Sequence, residues 1–260
     1  MTLTGVSETL CIPLAARVLE TRREDGVFAD PRGAEMADTL GLDVDRYGRS
    51  WTQVEAVVGR TVLLDAVVRD FLARHPDGQV VALGAGLCTR AWRLGAGRWV
   101  HVDLPAVAEL RGRLLPDEPG RITVAASVLD ADWWDHVEHG PTLFTAEGLL
   151  MYLAPEDVEA LLRELARRRP GAEVVLEGIA TFLLRSRFGQ RSRTIADTGA
   201  TFRWGLDAAE DLLAIVPGAR LLSVGHHAEV LPGRWRWLRV TRPFTAVRQA
   251  MRIVHLELPA

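Results

Sequence analysis

The sequence predicts an α/β fold in which helices cover both faces of a mostly parallel sheet. From residue 79 onward, short apolar segments of strand length alternate with segments of helical periodicity, the pattern of consecutive βα units. One apolar segment ends in a glycine turn, a junction typical of strand-to-helix connections in such folds. At 260 residues with 48% hydrophobic content, the chain is long enough for one full α/β core.

Residues 1–75 are predicted to form a helical cap ahead of the sheet. Apolar residues recur at helical spacing over Thr52–Arg74, which is the clearest helix of this part. The cap is expected to cover the carboxyl edge of the sheet, where open α/β folds bind ligands. Breaks are predicted at Pro13, around Pro31 and across Leu40–Arg49.

Seven segments after the cap are predicted to be strands, because each is a short apolar run that ends at turn-forming or charged residues. Helices are predicted between them, for instance Ala106–Leu115 and Pro155–Arg168. The predicted strands are Gln79–Leu83, Trp99–Asp103, Ile122–Ala126, Thr142–Glu147, Glu173–Glu177, Arg220–Val224 and Arg252–Glu257.

The segment 184–204 departs from this alternation. It is rich in Arg, Ser and Gly, and an excursion of this length in a compact domain is typical of a functional lid or a mobile loop. The chain contains no internal repeat and no low-complexity linker, so residues 1–260 are predicted to form one domain.

Composition indicates an intracellular protein without a membrane or nucleic-acid partner. The net charge is −3 and every one of the 31 basic residues is Arg, so Arg occupies ordinary surface positions. No apolar run approaches the ~20 residues of a membrane span, and no signal-peptide pattern is present. The two cysteines, Cys11 and Cys88, lack metal-ligand spacing. We therefore expect a cytoplasmic protein with free thiols and no bound metal.

The apolar run Val80–Leu83 is followed by the turn Gly84-Ala85-Gly86, and the next predicted strand ends at Asp103. In a Rossmann-like βαβ unit, such glycines let the backbone approach a nucleotide-type ligand. A carboxylate at the end of the second strand accepts hydrogen bonds from both ribose hydroxyls. This spacing predicts a nucleotide-type cofactor.

The glycine turn leaves more than one cofactor open. A dinucleotide fingerprint needs a third small residue where this chain has Thr89, so an NAD-dependent oxidoreductase is an alternative with an incomplete pyrophosphate cradle. S-adenosylmethionine needs only the close approach and the ribose carboxylate. A non-catalytic Rossmann-like binding protein is a further alternative, which an intact set of site residues disfavours.

Six blocks of sequence form a recognisable set: Ser7–Arg17, Leu83–Arg90, Val102–Pro105, Ser127–Asp130, Ala146–Leu153 and Phe202–Leu206. Together they resemble the leucine carboxyl methyltransferase superfamily, in particular its bacterial branch of polyketide-type O-methyltransferases. The resemblance extends over nearly the whole chain, and the block that contains Glu147 is the most specific. It implies a class I S-adenosylmethionine-dependent methyltransferase, whose Rossmann-like sheet has seven strands with the last one antiparallel.

The resemblance implies a role for each residue of the predicted cofactor site. Arg60 would pair with the carboxylate of S-adenosylmethionine, Glu147 would accept from its ammonium group, and Asp103 would hold the ribose. Ser127 stands where the eukaryotic branch has an aspartate beside the adenine, so a hydroxyl or backbone carbonyl would serve there. The other implied cofactor-binding residues are Gly84, Ala85, Gly86, Leu104 and Val128, with Arg17 and Tyr152 as further candidates.

The methyl acceptor is predicted to be the carboxylate of a small molecule or peptide in specialised metabolism. A carboxylate is ionised at neutral pH and needs a cationic clamp, for which Arg203 is the predicted residue. A hydroxyl of a polyketide or phenol is the alternative acceptor, and His226 or His227 would then be the general base. Tyr152 completes the predicted catalytic set.

Overall fold

The computed structural model describes residues 9–95, 97–185, 201–230, 234 and 249–260. Each of the seven observed strands begins and ends within two residues of its predicted bounds. The strands are β1 (Gln79–Leu83), β2 (Arg98–Asp103), β3 (Arg121–Ala125), β4 (Thr142–Ala146), β5 (Glu173–Ile179), β6 (Arg220–His226) and β7 (Met251–Glu257).

Within the described ranges these strands form one sheet in the order β3-β2-β1-β4-β5-β7-β6. Strands β1 to β5 pair in parallel, whereas β7 runs antiparallel to both of its neighbours, β5 and β6. The chain crosses from the β3 edge back to β4 beside β1, so the strand order reverses at the β1–β4 pair. Ligands of open α/β sheets bind at such a reversal. The predicted fold class is confirmed.

Helices flank the sheet on both faces. The long helix α4 packs Leu64, Val68 and Phe71 against apolar side chains of the central strands, while α7 packs Val158 and Leu162 against the opposite face. The helices are α1 (Cys11–Thr21), α2 (Pro31–Thr39), α3 (Val44–Tyr47), α4 (Trp51–Arg74), α5 (Arg90–Leu94), α6 (Pro105–Leu114), α7 (Pro155–Arg168), α8 (Thr181–Arg185), α9 (Asp211–Ile215) and α10 (His227–Val230).

The expected break at Pro13 is wrong. Pro13 lies in the first turn of α1, where its missing N–H is not needed for an intrahelical bond. The other two breaks are observed: Asp30 caps α2 by accepting from the Gly33 N–H at 3.0 Å, and the 40–49 stretch contains only the short α3.

The cap lies over the carboxyl edge of the sheet, as expected. Leu14 and Val18 of α1 belong to a buried cluster with Leu87 and Leu110 from the neighbouring α/β units. This places the start of α1 beside the glycine turn that follows β1.

Two further predictions concern the 184–204 segment and membrane-spanning helices. Most of the predicted 184–204 excursion lies outside the described residues. None of the helices in the described ranges combines the length and apolarity that crossing a bilayer requires.

Candidate active site

A cavity of about 180 Å³ lies between the cap and the carboxyl ends of β1, β4 and β5. The helices α1 and α4 form one wall, and the turns that follow β1 and β4 form the other. Of the residues predicted for the site, those that line the cavity are Arg17, Arg60, Gly84, Ala85, Gly86, Glu147 and Tyr152.

The glycine turn has the backbone conformation for which it was predicted. Gly84 and Gly86 adopt positive φ angles of 63° and 50°, a region that other residues rarely occupy. A Cβ on Gly86 would lie 2.7 Å from the Leu10 side chain, and one on Gly84 would lie 2.9 Å from Leu149. Glycine is therefore required at both positions, and the backbone is exposed to the cavity.

Asp103 ends β2 beside this turn. Its carboxylate accepts hydrogen bonds from the backbone N–H groups of Gly86 at 2.6 Å and Leu104 at 2.8 Å. Burial raises the pKa of Asp103, and the two N–H groups oppose that shift. Each carboxylate oxygen has a second lone pair, so two further donors can be accepted.

Two buried arginines fix the segment after the turn. Arg111 of α6 donates to the carbonyls of Gly86 at 2.9 Å and Cys88 at 2.8 Å. Arg17 of α1 donates to the carbonyl of Leu87 at 2.7 Å and is held by Asp30 at 2.8 Å. The segment is thus tied to both α6 and the cap, which makes its shape rigid.

A nearly buried ion cluster around Arg60 and Glu147 forms part of the cavity wall, which we call the charged end. Glu147 directly follows β4 and lies between two guanidinium groups, with Arg60 Nε at 2.9 Å and Arg90 Nη2 at 2.8 Å. Burial alone would raise the pKa of Glu147, but Arg90 and Arg60 hold it well below its usual range. The predicted neighbours Arg60 and Glu147 therefore meet, and in this structure each is the other's partner.

The cluster includes residues that were not predicted. Glu177 of β5 accepts from Arg60 Nη1 at 3.0 Å, and Asp65 of α4 accepts from Arg90 Nε at 2.7 Å. Both carboxylates stand within apolar sequence, Glu177 in a buried strand and Asp65 on the inner face of a helix. A charge at such a position requires a partner, and this signal was available in the sequence.

Three residues predicted to bind the cofactor, the adenine neighbours Ser127 and Val128 together with Leu104, lie at the same edge but outside the cavity lining. Leu104 is 49% exposed and Val128 is buried, while the Ser127 hydroxyl accepts from the Leu129 N–H at 3.2 Å. The Ala126 N–H donates to the Asp103 carbonyl at 2.9 Å, which ties this segment to β2.

The predicted catalytic residues have different positions. Tyr152 lines the cavity, its hydroxyl bonds with Thr9, and burial raises its pKa. The side chain of Arg203, the predicted acceptor clamp, is exposed, and only its neighbour Phe202 lines the cavity. His226 is the last residue of β6, is partly buried, and is not among the lining residues.

His227, the other candidate base, is also outside the cavity lining. It begins α10, its backbone packs against Gly59 of α4, and its side chain is buried. Burial and the nearby Arg60 charge lower the pKa of His227 to about 3. It is therefore neutral at physiological pH.

Comparison of the sequence with known proteins identifies its family. The model of the leucine carboxyl methyltransferase family matches residues 11–166. The tetracenomycin polyketide synthesis O-methyltransferase TcmP from Streptomyces glaucescens is 38% identical over 222 residues, which cover 84% of this chain and 82% of that protein. The S-adenosyl-L-methionine-dependent methyltransferase dpfgK from Gibberella zeae is 28% identical over 270 residues, with coverage of 92% and 88%.

The fold is shared with a solved structure as well. A candidate methyltransferase from Thermobifida fusca YX matches 99% of this chain and 96% of its own, with a TM-score of 0.62 at 18% identity. The chain belongs to the leucine carboxyl methyltransferase family, as its sequence blocks predicted, and is an S-adenosylmethionine-dependent methyltransferase.

Proposed function

We propose that the protein methylates a carboxylate oxygen of a small, largely apolar acid of the polyketide type. The observation that supports this proposal is the cavity lining, which combines the charged Arg60 and Glu147 with many apolar side chains. No histidine is found among the lining residues that the structure describes. A carboxylate acceptor needs no general base, since it is already ionised at neutral pH.

The residues present fit S-adenosylmethionine at the charged end. The amino-acid part of the cofactor carries one carboxylate and one ammonium group, which match Arg60 and Glu147 in charge. In the structure the two side chains form an ion pair at 2.9 Å. A planar guanidinium is suited to a two-oxygen target, and Arg17 lies in the same wall.

The nucleoside part fits the other side of the glycine turn. Gly84, Ala85 and Gly86 offer bare backbone, and Asp103 keeps free lone pairs for the two ribose hydroxyls. Beyond Asp103, the partly exposed Leu104 and the Ser127–Val128 pair would contact the adenine. These are the roles that the sequence predicted for Asp103 and for the Ser127–Val128 pair.

We place the acceptor against the apolar side chains of the cavity lining. Tyr152 and Phe202 pack with ring centroids 5.3 Å apart, and the carboxamide oxygen of Gln53 is buried without a hydrogen-bond partner among the described residues. The apolar part of the wall includes Ile12, Pro13, Val57, Met151, Ile179 and Met251.

When bound, S-adenosylmethionine supplies an electrophilic methyl group, and the protein has to align the acceptor oxygen with it in a dry pocket. Because burial raises the pKa of Tyr152, its hydroxyl stays protonated and can donate to the acceptor carboxylate. The apolar wall excludes water and packs against the rest of the acceptor. The relative TcmP, named for polyketide O-methylation, supports the choice of acceptor class.

The experiment is a methylation assay with a product test. The protein is incubated with S-adenosylmethionine and a panel of aromatic carboxylic acids, matched phenols and a short peptide, and products are found by mass spectrometry. Mild alkali then separates the two chemistries, because methyl esters release methanol whereas aryl methyl ethers are stable. We expect alkali-labile products from the acids. Alkali-stable products from the phenols alone would contradict the proposal and favour the hydroxyl alternative.

A further inference from the structure

Glu177 joins two parts of the charged end from behind. Its side chain is fully buried, and one oxygen, Oε2, accepts from Arg60 Nη1 at 3.0 Å and from the Gly148 N–H at 2.8 Å. Gly148 directly follows Glu147 in the chain. A single carboxylate oxygen therefore holds both the Arg60 guanidinium and the backbone that carries Glu147.

The other oxygen of Glu177 has no hydrogen-bond partner among the described residues. The nearest candidate is His227, whose Nε2 lies 3.8 Å from Oε1 and whose two ring nitrogens are also unpartnered in the described structure. Both side chains are buried. If the distance between His227 Nε2 and Glu177 Oε1 shortened by about 1 Å, the two atoms would form a hydrogen bond. Glu177 can therefore gain this bond when Arg60 shifts slightly.

Arg60 needs such a partner when a ligand enters. In the structure its Nε bonds with Glu147, while Nη1 bonds with Glu177. If Glu147 turns to the ammonium group of the cofactor, the hydrogen bond that Arg60 donates to Glu177 is the one that remains among those the structure describes. A buried guanidinium with one partner removed loses its fixed orientation unless the remaining partner is rigid.

We infer that Glu177 is a positioning residue for the amino-acid end of S-adenosylmethionine. It fixes Arg60 and the Gly148 backbone while Glu147 exchanges partners, and His227 completes its hydrogen bonds. This inference rests on the proposed placement of that end of the cofactor at Arg60 and Glu147.

The test compares two ligands that differ only at that end. S-adenosylhomocysteine carries the amino-acid group, whereas 5′-methylthioadenosine lacks it and keeps the nucleoside. The isosteric variant Glu177→Gln is expected to bind S-adenosylhomocysteine roughly tenfold more weakly, the size of a lost hydrogen bond to a charged group. Its affinity for methylthioadenosine is expected to be unchanged. Weakening of both ligands, or of neither, would overturn the inference.

A double variant tests whether Glu177 acts through Arg60. In an Arg60→Ala background, Glu177→Gln is expected to have no further effect on S-adenosylhomocysteine binding. A further tenfold loss there would contradict a positioning role. His227→Gln is a second variant for the same two titrations. It is expected to lower the affinity for S-adenosylhomocysteine alone, by less than Glu177→Gln does. An equal loss of affinity for both ligands would count against the inference.

Two controls separate the possible failures. Glu173→Gln alters a glutamate in the same strand that is also paired with an arginine and a histidine, but at the opposite edge, and it should bind both ligands as the wild type does. If the wild type itself binds S-adenosylhomocysteine no better than methylthioadenosine, the proposed cofactor placement fails. If only Glu177→Gln is without effect, the inference alone fails.

Discussion

Strand β5 carries a glutamate near each end, and each lies between an arginine and a histidine. At the amino end, Glu173 accepts from Arg74 through both oxygens, at 2.7 and 2.9 Å, and lies 2.8 Å from His255 Nε2. Burial alone would raise the pKa of Glu173, but bonds with His255 and Arg74 lower it to about 2. Every carboxylate oxygen in this cluster has a partner.

At the carboxyl end, Glu177 lies between Arg60 and His227, but some of the polar atoms in this cluster lack hydrogen-bond partners among the described residues. Burial raises the pKa of Glu177, and the Arg60 charge offsets only part of that shift. Its Oε1 and both ring nitrogens of His227 are without hydrogen-bond partners among the described residues. One cluster is saturated and stabilises the fold, whereas the other keeps unused hydrogen-bonding capacity beside a cavity. Unused capacity in a buried place is typical of a functional site.

The largest expected effect comes from removing Arg60, and removal of Arg74 provides the comparison. Arg60→Ala leaves the buried Glu177 without its charged partner and should lower the free energy of unfolding by about 3–5 kcal/mol. Arg74 is 42% exposed, so Arg74→Ala should cost at most about 1 kcal/mol. Urea denaturation of the two variants measures both values. Equal losses would mean that the two clusters do not differ as described.

Asp103→Ala tests whether the carboxyl edge is a binding site at all. The variant should bind S-adenosylhomocysteine about 1.5–3 kcal/mol more weakly, the range for hydrogen bonds to a charged group. Calorimetric titration measures the change. An unchanged dissociation constant would contradict the assignment of Asp103 to the ribose.

The pH dependence of stability should have opposite signs in the two clusters. The pKa of Glu173 is lowered in the folded protein, so its stabilisation of about 1–2 kcal/mol is present above pH 4.5 and is lost as the pH falls toward 2. The pKa of Glu177 is raised, so the wild type gains stability relative to Glu177→Gln as the pH falls toward 4.5.

These differences are measured as free energies of unfolding of the wild type and both Gln variants between about pH 3 and 8. Carboxyl groups with shifted pKa values titrate over roughly this range. Parallel profiles for Glu173→Gln and Glu177→Gln would remove the electrostatic contrast between the two ends of β5.

Tyr152→Phe examines the acceptor side of the cavity. Loss of the hydroxyl should lower kcat/KM for a carboxylate acceptor roughly tenfold, about 1.4 kcal/mol, while the affinity for S-adenosylhomocysteine stays the same. Steady-state kinetics with an acid from the panel that the protein methylates give kcat/KM, and a parallel titration gives the affinity for S-adenosylhomocysteine. A loss of cofactor affinity instead would assign Tyr152 to the cofactor side.

Arg203→Ala should have the smallest effect. Its side chain is exposed, and surface substitutions usually change the free energy of unfolding by no more than about 0.5 kcal/mol. We expect turnover and cofactor affinity close to those of the wild type in the same assays. A large drop in turnover with intact cofactor binding would restore Arg203 as the acceptor clamp.

The fold and the cofactor edge were predictable from the sequence because their signals are local. Strand bounds follow from short apolar runs, and Asp103 and Glu147 were placed correctly because each ends or directly follows a strand. Gly84 and Gly86 were recognisable because their positive φ angles restrict the choice of residue.

The ion cluster was predicted only in part because its contacts join distant segments. Whether Arg60 meets Glu177, 117 positions away in the sequence, depends on how α4 packs against the sheet. The same limit applies to Arg203 and the two histidines, because a position in the sequence does not determine whether a side chain lines the cavity. A charge inside an apolar segment, as at Glu177, is the one signal that would have identified the missing residue.

The central claim is that the carboxyl edge between Arg60 and Asp103 binds S-adenosylmethionine. Calorimetric titration of the wild-type protein with S-adenosylhomocysteine, with NAD as a parallel control, tests it most directly. We expect saturable binding of S-adenosylhomocysteine with a dissociation constant on the order of micromolar, about −8 kcal/mol, and no binding of NAD. Binding of NAD alone, or of neither ligand, would contradict it.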